Sequence, residues 1–352
     1  VKLGKAAASL FGLQPSPPRL GVALQAGLAM GIPNVGLALA GHADLGMLAS
    51  LGAFVALFLA GRTRRERIVF LPLVAVGLAA SAAVGVATSG HLLSAVIALF
   101  LVAVIGTAVT TGLSTGPPGG LLFVLVAGVA GHLTAPPELE GAGLDPRAVL
   151  GMSVVGAVVA YLVVVAPLLL PSVRRRDAEA HEDRVRMTFR FGRTDVIVVA
   201  RLAVAAAIAA SLAVPLGLHR AYWVIVAVVA ILQNGHQIRV GAVRAIQRGI
   251  GTIVGVGLFA LLALVHPAGV LLGLLLAVLQ FCIEIVVVRN YGLALALITP
   301  LSLIIASQGG LAGSETVVLE RVADTALGCA IALAVLAGAW LLRRARPNSP
   351  AL

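Results

Sequence analysis

The chain has 352 residues, of which 60% are hydrophobic and only 11% charged, with a formal net charge of +11. A soluble globular protein of this length needs far more polar surface, so that class is excluded. The mean hydropathy of +1.07 is instead that of a polytopic membrane protein. Apolar runs of about 20 residues suit helices crossing about 30 Å of hydrocarbon. None of the runs alternates as an outer-membrane barrel strand does, and lipid tolerates no unpaired backbone.

Residues 1–19 form an N-terminal segment. Its apolar stretch, Ala6 to Leu13, is short and is followed by Pro15, Pro17 and Pro18, which does not suit a signal peptide. Hydropathy places a first block of spans in 20–171, near 20–40, 43–61, 68–89, 92–113, 117–135 and 148–170. A polar linker follows at 172–195. The second block, 196–342, has spans near 196–216, 221–238, 249–265, 268–288, 291–308 and 321–342, and a tail occupies 343–352. The expected fold is all-α, with about twelve transmembrane helices.

The basic residues sort by side. Lys2, Lys5, Arg19, the Arg62–Arg67 cluster, the linker arginines, Arg239, Arg244, Arg248, Arg289 and Arg343 to Arg346 share one side of a twelve-span arrangement. The other side keeps Arg147, Arg220, Arg321 and the acidic loop "PPELEGAGLD". The positive-inside rule then puts both termini in the cytoplasm, with the chain in the cell membrane. The high charge is read as topology, with attraction to lipid heads as a by-product and no nucleic-acid partner.

The chain also echoes itself. Arg62 and Arg67 recur 177 residues later as Arg239 and Arg244, and His42 recurs as His219. Six spans per half is an even number, so two parallel repeats are expected, related by an axis along the membrane normal. The stretch from Tyr222 to Gly257 reads as span eight, a basic cytoplasmic elbow, and span nine. Arg244 and Arg248, four apart, are expected on one face toward the lipid heads. Gly251 and Gly255 make a GxxxG step for close helix packing. The linker strip "RMTFRFGR" suits either an inner-leaflet contact or a plain connection.

At these residues the sequence resembles the fusaric-acid-resistance family. The resemblance rests on "YWVIVAVVAILQ", the arginine-punctuated elbow and "AIQRGIGTIVGVGL", then "EIVVVRNYGLALALITPLSLI" and "ERVADTALGCAIALAVL" in that order. "VARLAVAAAIAASLAVPLGL" is similar to the family's opening span. The likeness covers Arg201 to Leu342; the first half is similar only weakly, with "DLGMLASLGAF" where the Tyr-Trp motif would stand. The resemblance implies an exporter of aromatic carboxylic acids, related to channels of six spans per subunit that pair as dimers. It leaves a homo-oligomer or an accessory export subunit open as assembly states.

Ionisable groups within a bilayer cost roughly 2.5–3.5 kcal/mol each, so each is a candidate. Arg201 suits holding an anion, and Glu284 and Asp324 suit carrying a coupling proton. The structural alternatives are pairs of Arg201 with Glu284 and of Asp324 with Arg321. Thr299 and Pro300 fall near the middle of span eleven, where a broken helix is a common substrate position. Gln233 and Asn234 end span eight and suit either carboxylate binding or a helix cap. Tyr222 and Trp223 are expected in an interfacial aromatic belt. The histidines have no ligand-type spacing, and no nucleotide-binding loop, HExxH or CxxC occurs. Neither a metal nor a cofactor is expected, nor catalysis. The leading expectation is a proton-coupled exporter of small organic anions; the alternatives are a passive anion channel and a non-transporting scaffold.

Overall fold

The computed structural model describes residues 12–16, 19–179, 188–216, 220–233, 238–308 and 315–345. The first half builds α1 (Leu20–Leu39), α2 (Ala43–Ala53, continued as a 3-10 turn over Phe54–Leu57), α3 (Arg64–Thr88), α4 (Leu92–Gly112), α5 (Leu121–Thr134) and α6 (Pro146–Val165). A short polar helix, α7 (Pro171–Glu179), lies in the linker. The second half builds α8 (Arg193–Ala213), α9 (Tyr222–Leu232), α10 (Ile238–Val265), α11 (Gly269–Val286), α12 (Tyr291–Ala306) and α13 (Glu315–Ala345).

Ala and Leu supply helix propensity, Val adds lipid solubility, and polar side chains mark several starts. Thr63 and Glu66 form a reciprocal cap at α3, Asp145 accepts from the amides of Arg147 and Ala148 at α6, and Asn290 accepts from Leu293 at α12. The linker helix adds to the first of these. Asp177 accepts from the backbone of Arg64 at 2.7 Å and of Arg65 at 2.9 Å, tying α7 to the start of α3.

Length divides the helices into two sets. Among the described residues eight are long and apolar enough to cross a membrane, and α2, α5, α9 and α12 are shorter apolar helices. The short ones are the inner set: all eleven residues of α9 are buried, as are Gly46 to Ala53 of α2 and Thr299 to Ala306 of α12. The long helices turn apolar side chains outward, with Leu73, Val76, Ile105, Leu162, Ile253 and Leu261 all more than half exposed. A greasy exterior around a tighter interior is the arrangement a bilayer selects.

Small residues set the helix spacing. A side chain on Gly52 of α2 would collide with the backbone of Ser153 and Gly156 on α6, and one on Gly85 of α3 with Ala127 on α5. The Gly251 and Gly255 step lets α12 approach α10 backbone to backbone. A Cβ on Gly255 would lie 2.9 Å from the carbonyl oxygen of Ala296, the group that Pro300 leaves without its helical partner.

The elbow expected between spans eight and nine is helical instead. The α10 helix begins at Ile238, so Arg239, Arg244 and Arg248 lie within its first three turns. Nor do Arg244 and Arg248 face lipid heads. They share the helical stripe of Gly251 and Gly255, the stripe that packs on other helices. Arg67 is likewise buried in α3, where its guanidinium donates to Gln25 Oε1 at 2.9 Å and to the Ala56 carbonyl at 2.6 Å.

Overpacking a tight contact costs roughly 1–3 kcal/mol. Gly255→Val is therefore expected to lower the thermal midpoint of the detergent-solubilised protein by several degrees. Gly257→Val, two residues along on the open face of the same helix, is expected to leave the midpoint unchanged. Equal effects in a fluorescence melt would remove the close α10–α12 contact as a stabilising feature.

Candidate functional site: a central cavity lined with arginines

The four short helices, together with α10, α11 and α13, line a cavity of about 370 Å³, within the range of small-molecule sites. Its apolar wall comes from Leu51 and Phe54 of α2, Leu122 and Leu125 of α5, Val226 of α9 and Ile298 of α12, among others. Four guanidiniums break this wall, those of Arg19, Arg244, Arg248 and Arg321, against the one carboxylate of Glu284, a formal net of +3.

The cavity has two distinguishable ends. The end nearer the linker is marked by Gln233, whose amide donates to the Pro118 carbonyl at 2.9 Å. Here Arg19 pairs with Glu284 at 3.5 Å, both side chains largely buried. One helical turn before Glu284, Gln280 shares its face and is 2% exposed, and its Nε2 has no hydrogen-bond partner among the described residues. Arg248 donates to the Tyr291 hydroxyl at 2.9 Å, and the Arg244 guanidinium stands 5.2 Å from the centre of the same ring.

At the far end Arg321, 1% exposed, lays its guanidinium 3.6 Å from the centre of the Trp223 ring. Its Nε and Nη1 have no hydrogen-bond partner among the described residues. A buried guanidinium stacked on an aromatic face and open to a cavity is a ready hydrogen-bond donor to an anion. The stack itself contributes about 2 kcal/mol when desolvated.

Only part of the sequence-predicted set meets here. Gln233 and Glu284 line the cavity; Arg201, Thr299, Pro300 and Asp324 do not. Thr299 is fully buried, donates to the Leu295 carbonyl at 2.8 Å and packs against Gly255. Its helical neighbours Ile298, Leu301 and Ser302 face the cavity instead. Asn234 lies outside the described residues. Glu284 is paired with Arg19 and not with Arg201, which sits on α8. Among the described residues no ion pair joins Asp324 to Arg321. Tyr222 and Trp223 are 2% and 1% exposed, so they belong to the interior and not to an interfacial belt.

Sequence alone assigns several of these residues elsewhere. It makes Arg19, Arg244 and Arg248 topological charge and Arg321 a local partner for Asp324, and it gives no signal for Gln280 or Tyr291. One signal was available. Arg244, Arg248, Gly251 and Gly255 follow i, i+4, i+7, i+11 spacing, and a stripe that needs glycine faces another helix.

Long lipophilic helices around an inner, net-positive cavity are those of a multi-pass membrane protein. A family model described as fusaric acid resistance protein-like matches residues 203–335. The uncharacterized membrane protein YvaC of Bacillus subtilis (strain 168) is 35% identical over 122 residues, which is 34% of this chain and 19% of that protein. No solved structure matches the chain. Over residues 203–335 the chain is similar to the fusaric acid resistance protein-like family, and it spans about a fifth of the length of the curated relative it matches.

The sign of the cavity's field is directly measurable. The chain has two tryptophans, so Trp340→Phe leaves Trp223 as the only emitter. Iodide is expected to quench it more strongly than caesium in detergent. The preference should fall away in the Arg248→Gln, Arg321→Gln double variant. Equal quenching by both ions in the parent would mean the arginines do not set the field at Trp223.

Proposed function

We propose that the protein is a secondary transporter that exports small organic anions, aromatic carboxylates foremost, through the central cavity. The observation that carries this reading is the cavity's composition: an apolar wall with Trp223, Tyr291 and Phe54, four guanidiniums and one carboxylate. An apolar body fits the wall and a carboxylate head fits the guanidiniums. The family's description, which concerns resistance to an organic acid, supports the same class of substrate.

In this reading the chain crosses the cell membrane twelve times as two parallel six-helix units, with both termini cytoplasmic. Paired packing supports the repeat. The α1 helix packs on α11 as α4 packs on α8, α3 on α5 as α10 on α12, and α2 on α6 as α9 on α13. Each relation maps onto its partner when the second helix set replaces the first. The short helices are the second and fifth of each unit, which supports a shared design. The basic side of the sequence, by the positive-inside rule, makes the linker end the cytoplasmic one.

Anions enter at Arg19, Arg244 and Arg248 and move toward Arg321. Glu284 is the proton-carrying group. As a carboxylate it holds Arg19; once protonated it releases that guanidinium to the substrate. Gln233 and Gln280 donate hydrogen bonds along the route.

Inside-out vesicles with an imposed pH gradient, acid inside, provide the test. Benzoate and a panel of aromatic and aliphatic carboxylates are expected to accumulate above equilibrium and to lose that accumulation with a protonophore. Downhill flux alone would make the protein a passive channel, and no flux of any anion would leave the scaffold. Glu284→Gln is expected to keep the fold, since the amide retains the shape, and to flatten the pH dependence of flux. Full proton-driven accumulation in that variant would remove Glu284 from the coupling step.

A further inference from the structure

The central cavity does not reach the face opposite the linker, and what stops it is thin. A second, smaller cavity of about 50 Å³ opens from that side, lined by Thr88, Ser89, Leu99, His132, Ala135 and Tyr222. Tyr222 lines the small cavity and Trp223, the next residue, lines the large one. Their rings lie 4.6 Å apart between centroids. On α5 the division repeats: Leu125 and Val129 face the large cavity, while Gly128 and His132 face the small one.

These rings belong to one column across three helices. The Arg321 guanidinium of α13 covers Trp223, Trp223 leans on Tyr222, and the His132 ring of α5 stands 6.2 Å from Tyr222. The column is fitted and not merely adjacent. The Tyr222 ring fills the space where a side chain on Gly128 would stand, so any larger residue there would displace it. The Tyr222 hydroxyl is buried without a hydrogen-bond partner among the described residues.

We propose that Tyr222 and Trp223 form the gate that separates the central cavity from the face opposite the linker. The inference rests on the transport reading for its purpose, but the barrier is a property of the fold. Movement of two rings at the start of α9 joins the cavities, with no helix having to leave the bundle. Arg321 then serves two states: stacked on Trp223 when the gate is closed, and an anion contact at the exit when the ring swings away.

The test uses accessibility, so it does not depend on flux. In a Cys282→Ser, Cys329→Ser background, single cysteines are introduced at Val226 in the large cavity and at Leu99 in the small one. A third, Arg175→Cys on the exposed face of α7, identifies the linker face. Right-side-out and inverted vesicles are treated with a membrane-impermeant methanethiosulfonate, and denatured protein gives the total thiol. Val226→Cys is expected to stay unlabelled from the face opposite the linker, and Leu99→Cys unlabelled from the linker face. Adding Trp223→Ala or Tyr222→Ala is expected to turn Val226→Cys from unlabelled to fully labelled from the opposite face, whereas Trp223→Phe keeps it closed. Labelling of Val226→Cys from that face with both rings in place would overturn the proposal. So would labelling of Leu99→Cys from the linker face, or continued protection after either alanine change. If the labelling pattern holds while the parent moves no carboxylate, the gate stands and the transport reading falls.

Discussion

Four guanidiniums facing one cavity inside a lipid-embedded bundle is the constraint on which the rest of the structure turns. A charged group at the bilayer centre costs roughly 2.5–3.5 kcal/mol on insertion scales, and more where it cannot reach water. Arg244, Arg248 and Arg321 sit on long helices that contact lipid with their other faces, so they must turn inward. Turning inward requires an interior that is hollow and polar at those points. The short central helices supply it: α2, α5, α9 and α12 do not extend the length of the long helices, and the cavity lies among them. The aromatic rings of Trp223 and Tyr291 lie against the guanidiniums. They lower the cost of burial without neutralising the charge.

The two halves contribute unequally to this interior. The first half gives the cavity Arg19 and otherwise an apolar wall, from Leu51 on α2 to Val129 on α5. The second half gives three arginines, Glu284, Gln233, Gln280 and both rings that touch guanidiniums. Arg67 and Arg244 illustrate the difference. They recur 177 residues apart on the third helix of each half. Arg67 spends its donors on Gln25 and the Ala56 carbonyl, which locks α1, α2 and α3 together. Arg244 faces the cavity. The same position fastens helices in one half and lines the cavity in the other, in keeping with a family match over residues 203–335.

The all-helical fold was legible because hydrophobic runs and turn residues set helix positions almost alone; among the described residues eight of the apolar helices are long enough to cross a membrane and four are shorter. The site was legible only in part. Hydropathy treats an arginine near a span end as a topological marker, and that is what hid Arg19, Arg244 and Arg248. It was the helix boundary that misled: with α10 beginning at Ile238, the arginines lie on a packed stripe rather than in an exposed turn. Pro300 and Thr299 drew attention as a helix break near the midplane, yet the freed Ala296 carbonyl is set against Gly255 and leaves no vacancy for a ligand. Trp223 resembled a belt residue because a Tyr-Trp pair at a span end usually is one. That α9 is short and wholly enclosed can be known only once its neighbours are placed.

The ion pair of Arg19 and Glu284 gives the cavity a counter-charge of its own. A carboxylate inside a net-positive cavity competes with any anion that enters, and in a low-dielectric interior the competition is strong, because charges attract across such a medium far more than in water. A fixed positive cavity would bind an anion and hold it. With Glu284 present, a bound anion meets a carboxylate ready to reclaim Arg19, so affinity is traded for release. In the proposed cycle, protonation of Glu284 removes the competitor on one side of the membrane, and its deprotonation restores it. In the proposed cycle a single carboxylate thus sets both entry and release. Four guanidiniums against one carboxylate keep the cavity at a net +3, and in the proposed cycle that excess draws the anion in while Glu284 competes for Arg19.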